Sequence, residues 1–246
     1  MKRLSFMLML AFLSISINAS AQFGKKLVGN NKYVTITKPI SDFTQLVVWP
    51  KVNVYYATNP DSVGFVRIHG EENIVHLLDF TEKKGKLDIA FINNMSVEYG
   101  FITITLYSSS IAEANVEGAG VLELKGKIHS PELKLSVGGN GQILTSDIDV
   151  QTLKANVLGS GGDILLKGKC NNATFLVTGT GDIRARNFIV EDLSTRTTGT
   201  GNIFCNVNKT LKSRILGTGS VFYYGKPEVK QTVLGSGVVA PIPEGE

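Results

Sequence analysis

A Gly-x-Gly unit recurs seven times in the second half of this 246-residue chain, and the copies are almost evenly spaced. The copies are Gly118-Ala119-Gly120, Gly139-Asn140-Gly141, Gly159-Ser160-Gly161, Gly179-Thr180-Gly181, Gly199-Thr200-Gly201, Gly217-Thr218-Gly219 and Gly235-Ser236-Gly237. Their first glycines are 21, 20, 20, 20, 18 and 18 residues apart. Self-similarity at a nearly fixed period is typical of a solenoid, in which each repeat stacks on the next.

The residues on either side of each corner alternate between apolar and polar side chains. Leu153-Lys-Ala155-Asn-Val157 precedes one corner, and Ile183-Arg-Ala185 follows another. Because neighbouring side chains of a strand point to opposite faces, the pattern predicts a short strand before and after each corner, with two corners per rung. The glycines supply a positive φ or room where a Cβ would clash. We therefore expect an all-β fold, a right-handed parallel β-helix of about seven rungs of 18–21 residues.

The chain before the first corner also has the pattern of β structure, but it lacks the glycine corners. Short alternating runs such as Val34-Thr-Ile36 and Leu87-Asp-Ile89 predict strands. Residues 71–79 are expected to form one or two helical turns. Residues 22–110 are therefore expected to be an irregular β segment that caps or begins the stack, and residues 111–246 to be the repeat β-helix.

The first 21 residues have the organisation of a secretory signal peptide. Lys2 and Arg3 precede an apolar run, and the small residues Ala19-Ser20-Ala21 stand before Gln22. The run is too short for a comfortable membrane span and ends as a signal peptidase requires. We therefore expect an exported protein in the periplasm, at the outer-membrane surface or outside the cell, with no transmembrane span in the mature chain.

Charge and cysteine content narrow the function classes further. The net charge is +4, and Lys2 and Arg3 contribute two of these positive charges, so the mature chain is nearly neutral. A nucleic-acid partner would require a much larger basic excess.

Cys170 is predicted to lie in a turn and Cys205 on an inward strand position, almost two rungs apart. That separation exceeds the reach of a disulfide, so we expect no pairing.

The sequence lacks the motifs of the common catalytic sites. It contains no Gly-x-Ser-x-Gly, His-Glu-x-x-His, Cys-x-x-Cys or Gly-x-Gly-x-x-Gly motif. His69, His76 and His129 stand in unrelated local settings, and we interpret each as solvated or structural. We therefore predict no catalytic residue and no cofactor.

The corner aspartates raise a second question, because acidic residues line the turns of calcium-binding β-rolls. Asp163 and Asp182 follow two successive corners, but Asn202 and Ser220 hold the next two positions. Two carboxylates offer too few hard oxygen ligands for a tight calcium site. We therefore favour turn capping and predict no metal site.

Two sets of outward side chains are candidates for binding. Before the corners stand the basic residues Lys134, Lys154, Arg196, Lys212, Arg214 and Lys230, and after the corners stand Leu144, Leu165, Arg184, Phe204, Phe222 and Tyr224. No acidic partner is predicted in the basic rows, which favours a solvated face that could attract acidic glycans or an anionic surface. Exposed aromatic side chains in a row are suited to stacking on sugar rings or meeting a protein, unless another segment or copy covers them.

The string of Gly-Ser/Thr-Gly-Asp/Asn-Ile corners, including Gly179-Thr-Gly181-Asp-Ile183 and Gly199-Thr-Gly201-Asn-Ile203, resembles the auto-transporter adhesin "head GIN" domain family of Bacteroidetes envelope proteins. The opening from Phe43 to Tyr56 and the run Gly85-Lys-Leu87-Asp-Ile89 share the resemblance. It implies a secreted, β-helix-like protein and carries over no catalytic residues.

These observations lead to one expected function and one alternative. We expect a non-catalytic cell-envelope or secreted protein that binds a glycan or another envelope protein through its flat β faces, with a homo-oligomer left open. The alternative is a carbohydrate-active enzyme of the polysaccharide lyase or pectinase type, which rests only on the use of β-helices by such enzymes.

Overall fold

The computed structural model describes residues 27–243 and shows a nearly all-β molecule. Parallel strands stack into a β-solenoid of about six turns that is preceded by irregular strands, which confirms the predicted fold class. The predicted signal peptide, residues 1–21, lies outside the described residues. Within residues 27–243, no helix has the length and apolar character needed to cross a membrane.

The chain order of the elements reflects the change from short strands to long ones. The strands are β1 Leu27–Val28, β2 Tyr33–Pro39, β3 Gln45–Val48, β4 Asn53–Thr58, β5 Phe65–Glu71, β6 Leu78–Lys83, β7 Lys86–Phe91, β8 Val97–Glu98, β9 Thr103–Ser108, β10 Glu113–Val116, β11 Val121–Val137, β12 Gln142–Gly159, β13 Asp163–Gly179, β14 Asp182–Gly199, β15 Ile203–Gly217, β16 Val221–Tyr224, β17 Glu228–Gly235 and β18 Val239–Pro241. The short helix α1 is Glu72–Val75, as the sequence predicted, and 3-10 turns lie at Pro60–Ser62 and Ile92–Asn94.

Strands β12 to β14 each run from one glycine corner to the next as a single strand. The predicted second corner is replaced by a shift in pairing register, for example between Leu144 and Ile148 of β12. A local irregularity of this kind bends the backbone while the ladder continues on both sides. Each repeat therefore has one sharp corner and one softer bend.

The interior is filled by the inward positions of the alternating pattern. Leu153, Ala155 and Val157 are fully buried, and equivalent positions of the neighbouring turns stack on them. Cys170 is also an inward residue of β13, in register with Val150, so its predicted place in a turn was wrong. Cys170 and Cys205 are free thiols, and burial raises the pKa of each to about 12.

The corner glycines serve two different needs. Gly179 has φ +114°, a conformation that side chains other than hydrogen rarely adopt. Gly181 has no positive φ, but a Cβ there would meet the carbonyl oxygen of Gly162 in the turn below and would lie 2.7 Å from Val157 Cγ1. At the third corner, Gly162 takes this close position, because a Cβ on Gly162 would lie 2.8 Å from the carbonyl oxygen of Gly139, whereas Gly161 is the additional residue.

The irregular first part of the chain both begins and caps the stack. The coil of β3 and β4 lies between the coil of β7 and β9 and the coil of β10 and β11, and all of these pairings are parallel. Beyond this first coil, β6 pairs antiparallel with β7, and β5 pairs antiparallel with β9 and β2. The parallel ladder thus crosses residue 110, and the domain boundary placed there stays a prediction.

Candidate binding surface

The outward residues after the glycine corners form one continuous column on the solenoid. In register along the stack are Leu144, Leu165, Arg184, Phe204 and Phe222, which we call the aromatic column. Arg184 is exposed, and the other four residues are partly exposed. The rings of Phe204 and Phe222 stack with centroids 5.4 Å apart and an interplanar angle of 20°. The structure therefore brings the two predicted phenylalanines together on an accessible sheet surface.

Arginine side chains flank the stacked phenylalanines. Arg184 bridges the carboxylates of Asp163, at 3.4 Å, and Asp182, at 3.1 Å. The guanidinium carbon of Arg186 lies 4.9 Å from the ring centroid of Tyr224, which is a cation–π contact. Both kinds of contact restrict the conformations of these long side chains, so the charged groups beside the aromatic column keep defined positions.

The polar residues at the corners link successive turns. The carboxylate of Asp163 accepts a hydrogen bond from the Asp182 amide at 3.1 Å, and that of Asp182 accepts from the Asn202 amide at 2.8 Å. Asn202 Oδ1 in turn accepts from the amide of Ser220 at 3.0 Å. These contacts are turn capping of the kind favoured from the sequence. Within residues 27–243, no three His, Cys, Asp or Glu side chains are placed to hold a metal ion.

Sequence reasoning missed an aromatic group at the other end of the same column. Tyr55 is in register with Glu123, which is in register with Leu144. The ammonium of Lys125 lies 3.9 Å from the Tyr55 ring centroid, and Tyr107 helps to line a groove of about 180 Å³ beside this pair. The alternation in Asn53-Val-Tyr55-Tyr56 carried the signal, but without a glycine corner the register could not be assigned.

The basic residues before the corners lie in two neighbouring columns. Lys134 and Lys154 are in register in one column, as are Lys212 and Lys230 further along, and Arg196 and Arg214 are in register in the next. All of these basic side chains point outward, on the sheet face that precedes the glycine corners, whereas the aromatic column lies on the face that follows them. The two predicted surfaces are therefore separate and do not converge on one site.

The prediction that these columns lack acidic partners was wrong for Lys134, Lys154 and Lys230, the last of which lies 2.9 Å from Glu228. Glu113 is in register with Lys134, and its carboxylate lies 2.8 Å from the ammonium. Lys154 is 2.7 Å from Glu132. The run Glu113-Ala-Asn115-Val that precedes Gly118 has the repeat pattern, so this pairing could have been found by extending the alignment one rung upstream.

The charge of Glu113 is set by its neighbours at the junction between the irregular coils and the repeats. Burial raises the pKa of Glu113, but hydrogen bonds from Lys134 and Asn115, with the nearby charges of Lys134 and Lys86, outweigh burial and hold the pKa below its ordinary value. The carboxylate is therefore charged at neutral pH and neutralises Lys134.

The three histidines do not assemble a catalytic group with the predicted surfaces. His69 lies in the N-terminal cap, where its Nδ1 is 3.0 Å from Thr35 Oγ1 and its ring stacks near Tyr33 and Phe101. His76 follows α1, and His129 is an exposed residue of β11. Each stands apart from the aromatic column and from the basic columns.

The comparisons with known proteins agree with the architecture. The model of a protein family described as "Putative auto-transporter adhesin, head GIN domain" matches residues 42–227. A solved structure from Bacteroides fragilis, described as a putative adhesin, is 23% identical with a TM-score of 0.81 and covers 88% of this chain and 100% of its own. No curated protein matches the sequence.

Two structures from Parabacteroides also share this fold. A protein of Parabacteroides distasonis described as a putative lipid binding protein is 21% identical, with a TM-score of 0.76 and coverage of 89% of this chain and 100% of its own. A putative adhesin from Parabacteroides merdae is 22% identical, with a TM-score of 0.70 and coverage of 89% and 99%. Likeness at these identities establishes the shared fold.

Proposed function

The chain belongs to the auto-transporter adhesin head GIN domain family, and from this premise we propose that the protein is an exported, non-catalytic binding protein of the cell envelope. Its ligand is a glycan or another envelope protein, engaged through the flat sheet surface that carries the aromatic column. The site of action is the periplasm, the outer-membrane surface or the cell exterior, consistent with the signal peptide predicted over residues 1–21.

The stacked pair Phe204 and Phe222 carries this proposal. Aromatic rings that are partly exposed on a rigid sheet offer an apolar face to a sugar ring or a partner side chain at little entropic cost. Arg184 and the pair of Arg186 and Tyr224 place charged and hydrogen-bonding groups at the rim of the aromatic surface. An apolar centre with a polar rim is the usual anatomy of a recognition surface.

The arrangement of groups supports binding rather than turnover. A hydrolase or lyase needs a base, an acid and charge-stabilising groups of unlike type that converge on one atom. Here side chains of like type repeat along columns, and the carboxylates that contact Arg184, those of Asp163 and Asp182, are also engaged by corner amides.

The test is a glycan and envelope-protein binding array with the mature chain and the double variant Phe204→Ser/Phe222→Ser. We expect the variant to fold normally and to lose binding, because only outward side chains change. Phe101→Ser, which removes an exposed ring from the N-terminal cap, is the matched control and should bind as the unmodified protein does. Unchanged binding of neutral glycans and envelope proteins by the double variant, or release of reducing ends or unsaturated products from a bound glycan, would overturn the proposal.

A further inference from the structure

Three cations on the face before the glycine corners make no ion pair with the residues that the structure describes. Arg196 and Arg214 are in register on adjacent turns, and Lys212 lies two residues before Arg214 on the same side of the strand. Adjacent strands are about 4.8 Å apart and residues two apart on a strand about 7 Å, so the three side chains share a small area. All three are exposed, and among residues 27–243 none of them makes an ion pair. We call these residues the basic cluster.

The same columns are neutralised elsewhere. Lys134 is paired with Glu113 and Lys154 with Glu132, and Lys230, next to Lys212, is 2.9 Å from Glu228. Repeating a charge from turn to turn brings like charges together, which is unfavourable unless an opposite charge lies between them. The protein supplies that opposite charge at Lys134, Lys154 and Lys230, on both sides of the basic cluster, whereas the three cations of the cluster make no ion pair within residues 27–243.

The surface around the basic cluster is shaped for a ligand rich in oxygen atoms. A shallow groove of about 300 Å³ runs beside it, lined by the outward residues Ser194, Lys212, Arg214, Lys230 and Thr232 and by Thr195, Ser213 and Gln231 of the inward column between them. Each of the five outward side chains carries a cation or a hydroxyl group. Guanidinium groups bind carboxylates and sulfates through two parallel hydrogen bonds, and hydroxyl groups bond to the sugar hydroxyls between them.

We propose that the basic cluster is a binding site for a linear acidic polysaccharide, with its carboxylates or sulfates on Arg196, Arg214 and Lys212. Arg196 and Arg214 follow one another along the solenoid axis and Lys212 lies beside Arg214, so the ligand chain crosses two successive turns and meets a cation at each. A bilayer surface is disfavoured, because protein segments that bind anionic membranes combine their cations with apolar side chains that enter the lipid, and the groove lining has none.

This site goes beyond the proposed function, because it lies on a different face from the aromatic column and requires charge rather than ring stacking. The two can therefore fail separately. Loss of binding in Phe204→Ser/Phe222→Ser would report the aromatic column, and loss of binding in Arg196→Gln/Arg214→Gln would report the basic cluster.

The experiment is calorimetric titration of the mature chain with a heparin-derived hexasaccharide, with an oligogalacturonate and with a neutral oligosaccharide of equal length. We expect binding of at least one acidic probe that weakens as salt is added, since exposed charges are screened over about 8–10 Å. Arg196→Gln/Arg214→Gln should weaken this binding by roughly tenfold or more, because two charge-assisted contacts are lost. Phe204→Ser/Phe222→Ser should leave it unchanged.

The matched control is Lys134→Gln/Lys154→Gln, which removes the same charge from the same sheet face but at positions that are already neutralised. We expect this control to bind within about twofold of the unmodified protein, because exposed ion pairs contribute little. Equal weakening by both double variants would show attraction by net charge alone. That result would overturn the proposal, and so would a lack of binding of both acidic probes at low salt. Vesicles containing phosphatidylglycerol are titrated in parallel, and binding to these vesicles alone would also overturn it.

Discussion

In residues 117–243 each repeat adds the next turn of the solenoid, so the turns stack in the order of the chain. The coils before residue 117 stack in an order that differs from their order in the chain. The coil of β3 and β4 lies between the later coil of β7 and β9 and the coil that begins with β10. The repeat region uses a glycine pair at each corner, and the corner between β3 and β4 is Trp49-Pro50-Lys51-Val52, with no glycine.

The comparison shows what the glycine pairs are for. Parallel ladders form in both regions, so the ladders themselves do not require glycine. A Cβ on Gly118 would meet the carbonyl oxygen of Trp49, and a Cβ on Gly139 would lie 2.5 Å from that of Gly118. Glycine is needed wherever a corner packs directly on another corner beneath it, and this condition begins at the turn that follows β10.

The largest expected effect breaks this corner packing. Gly181→Ala should destabilise the protein by about 3 kcal/mol, because the new methyl group would overlap the Gly162 carbonyl and the Val157 side chain. Gly126→Ala is the control, since Gly126 has φ +73° but nothing within 4 Å of an added Cβ. Its cost should be about 1–2 kcal/mol from backbone strain alone. Guanidinium unfolding followed by circular dichroism measures both, and equal costs would contradict the packing argument.

The next prediction concerns the N-terminal cap, which a buried carboxylate holds together. Glu71 is 2% exposed and accepts hydrogen bonds from the amides of Asn31 and Gly100, both at 2.9 Å. Glu71→Ala leaves these amides without their partner and should cost about 2 kcal/mol. Hydrogen exchange should quicken in the cap and stay slow in the repeats. Glu72→Ala, at an exposed neighbour, should change little, and uniform acceleration along the whole chain would contradict a separate cap.

A third prediction distinguishes two buried threonines within the repeats. Thr145 Oγ1 accepts a hydrogen bond from the Lys167 amide at 2.9 Å, whereas the buried hydroxyl of Thr197 has no hydrogen-bond partner in the described structure. Thr145→Val should cost about 1–2 kcal/mol, and Thr197→Val should stabilise the protein by about 1 kcal/mol. Thermal unfolding of the two variants gives the sign of each change, and destabilisation by Thr197→Val would indicate a bound water that satisfies the hydroxyl.

The smallest expected effect lies at the junction of the two regions. Because the folded pKa of Glu113 is lowered, its ion pair with Lys134 contributes stability that is present above the unfolded pKa of about 4.3 and is lost as the pH falls through the lower folded value. Solvent screening limits this contribution to about 0.5 kcal/mol.

Glu113→Gln should therefore flatten the dependence of stability on pH below about 5. Denaturant midpoints measured between neutral and acidic pH would record the change. Glu228→Gln, which breaks the more exposed pair with Lys230, serves as the control. If the denaturant midpoint of Glu113→Gln falls with acidic pH as it does in the unmodified protein, the ion pair of Glu113 and Lys134 does not stabilise the junction.

The candidate surfaces could be predicted from the sequence within the repeats but not in the coils before them, as was the case for the fold. Phe204 and Phe222 could be placed side by side from their equal distance to the glycine corners, and the structure stacks their rings. Tyr55 belongs to the same column but could not be placed there, because no repeat marks its register. The pair of Glu113 and Lys134, in contrast, could be placed by extending the repeat one rung upstream, because residues 113–116 keep the alternating pattern.

The spacing of the glycine pairs and the alternation between them determined the parallel solenoid, its inward residues and the outward columns, because every repeat meets the same neighbours and local pattern is then sufficient. Only the tertiary structure decided the order of the first coils, the antiparallel cap and the place of Tyr55 in the aromatic column. These features depend on contacts between segments that do not repeat, so no periodic signal in the chain records them.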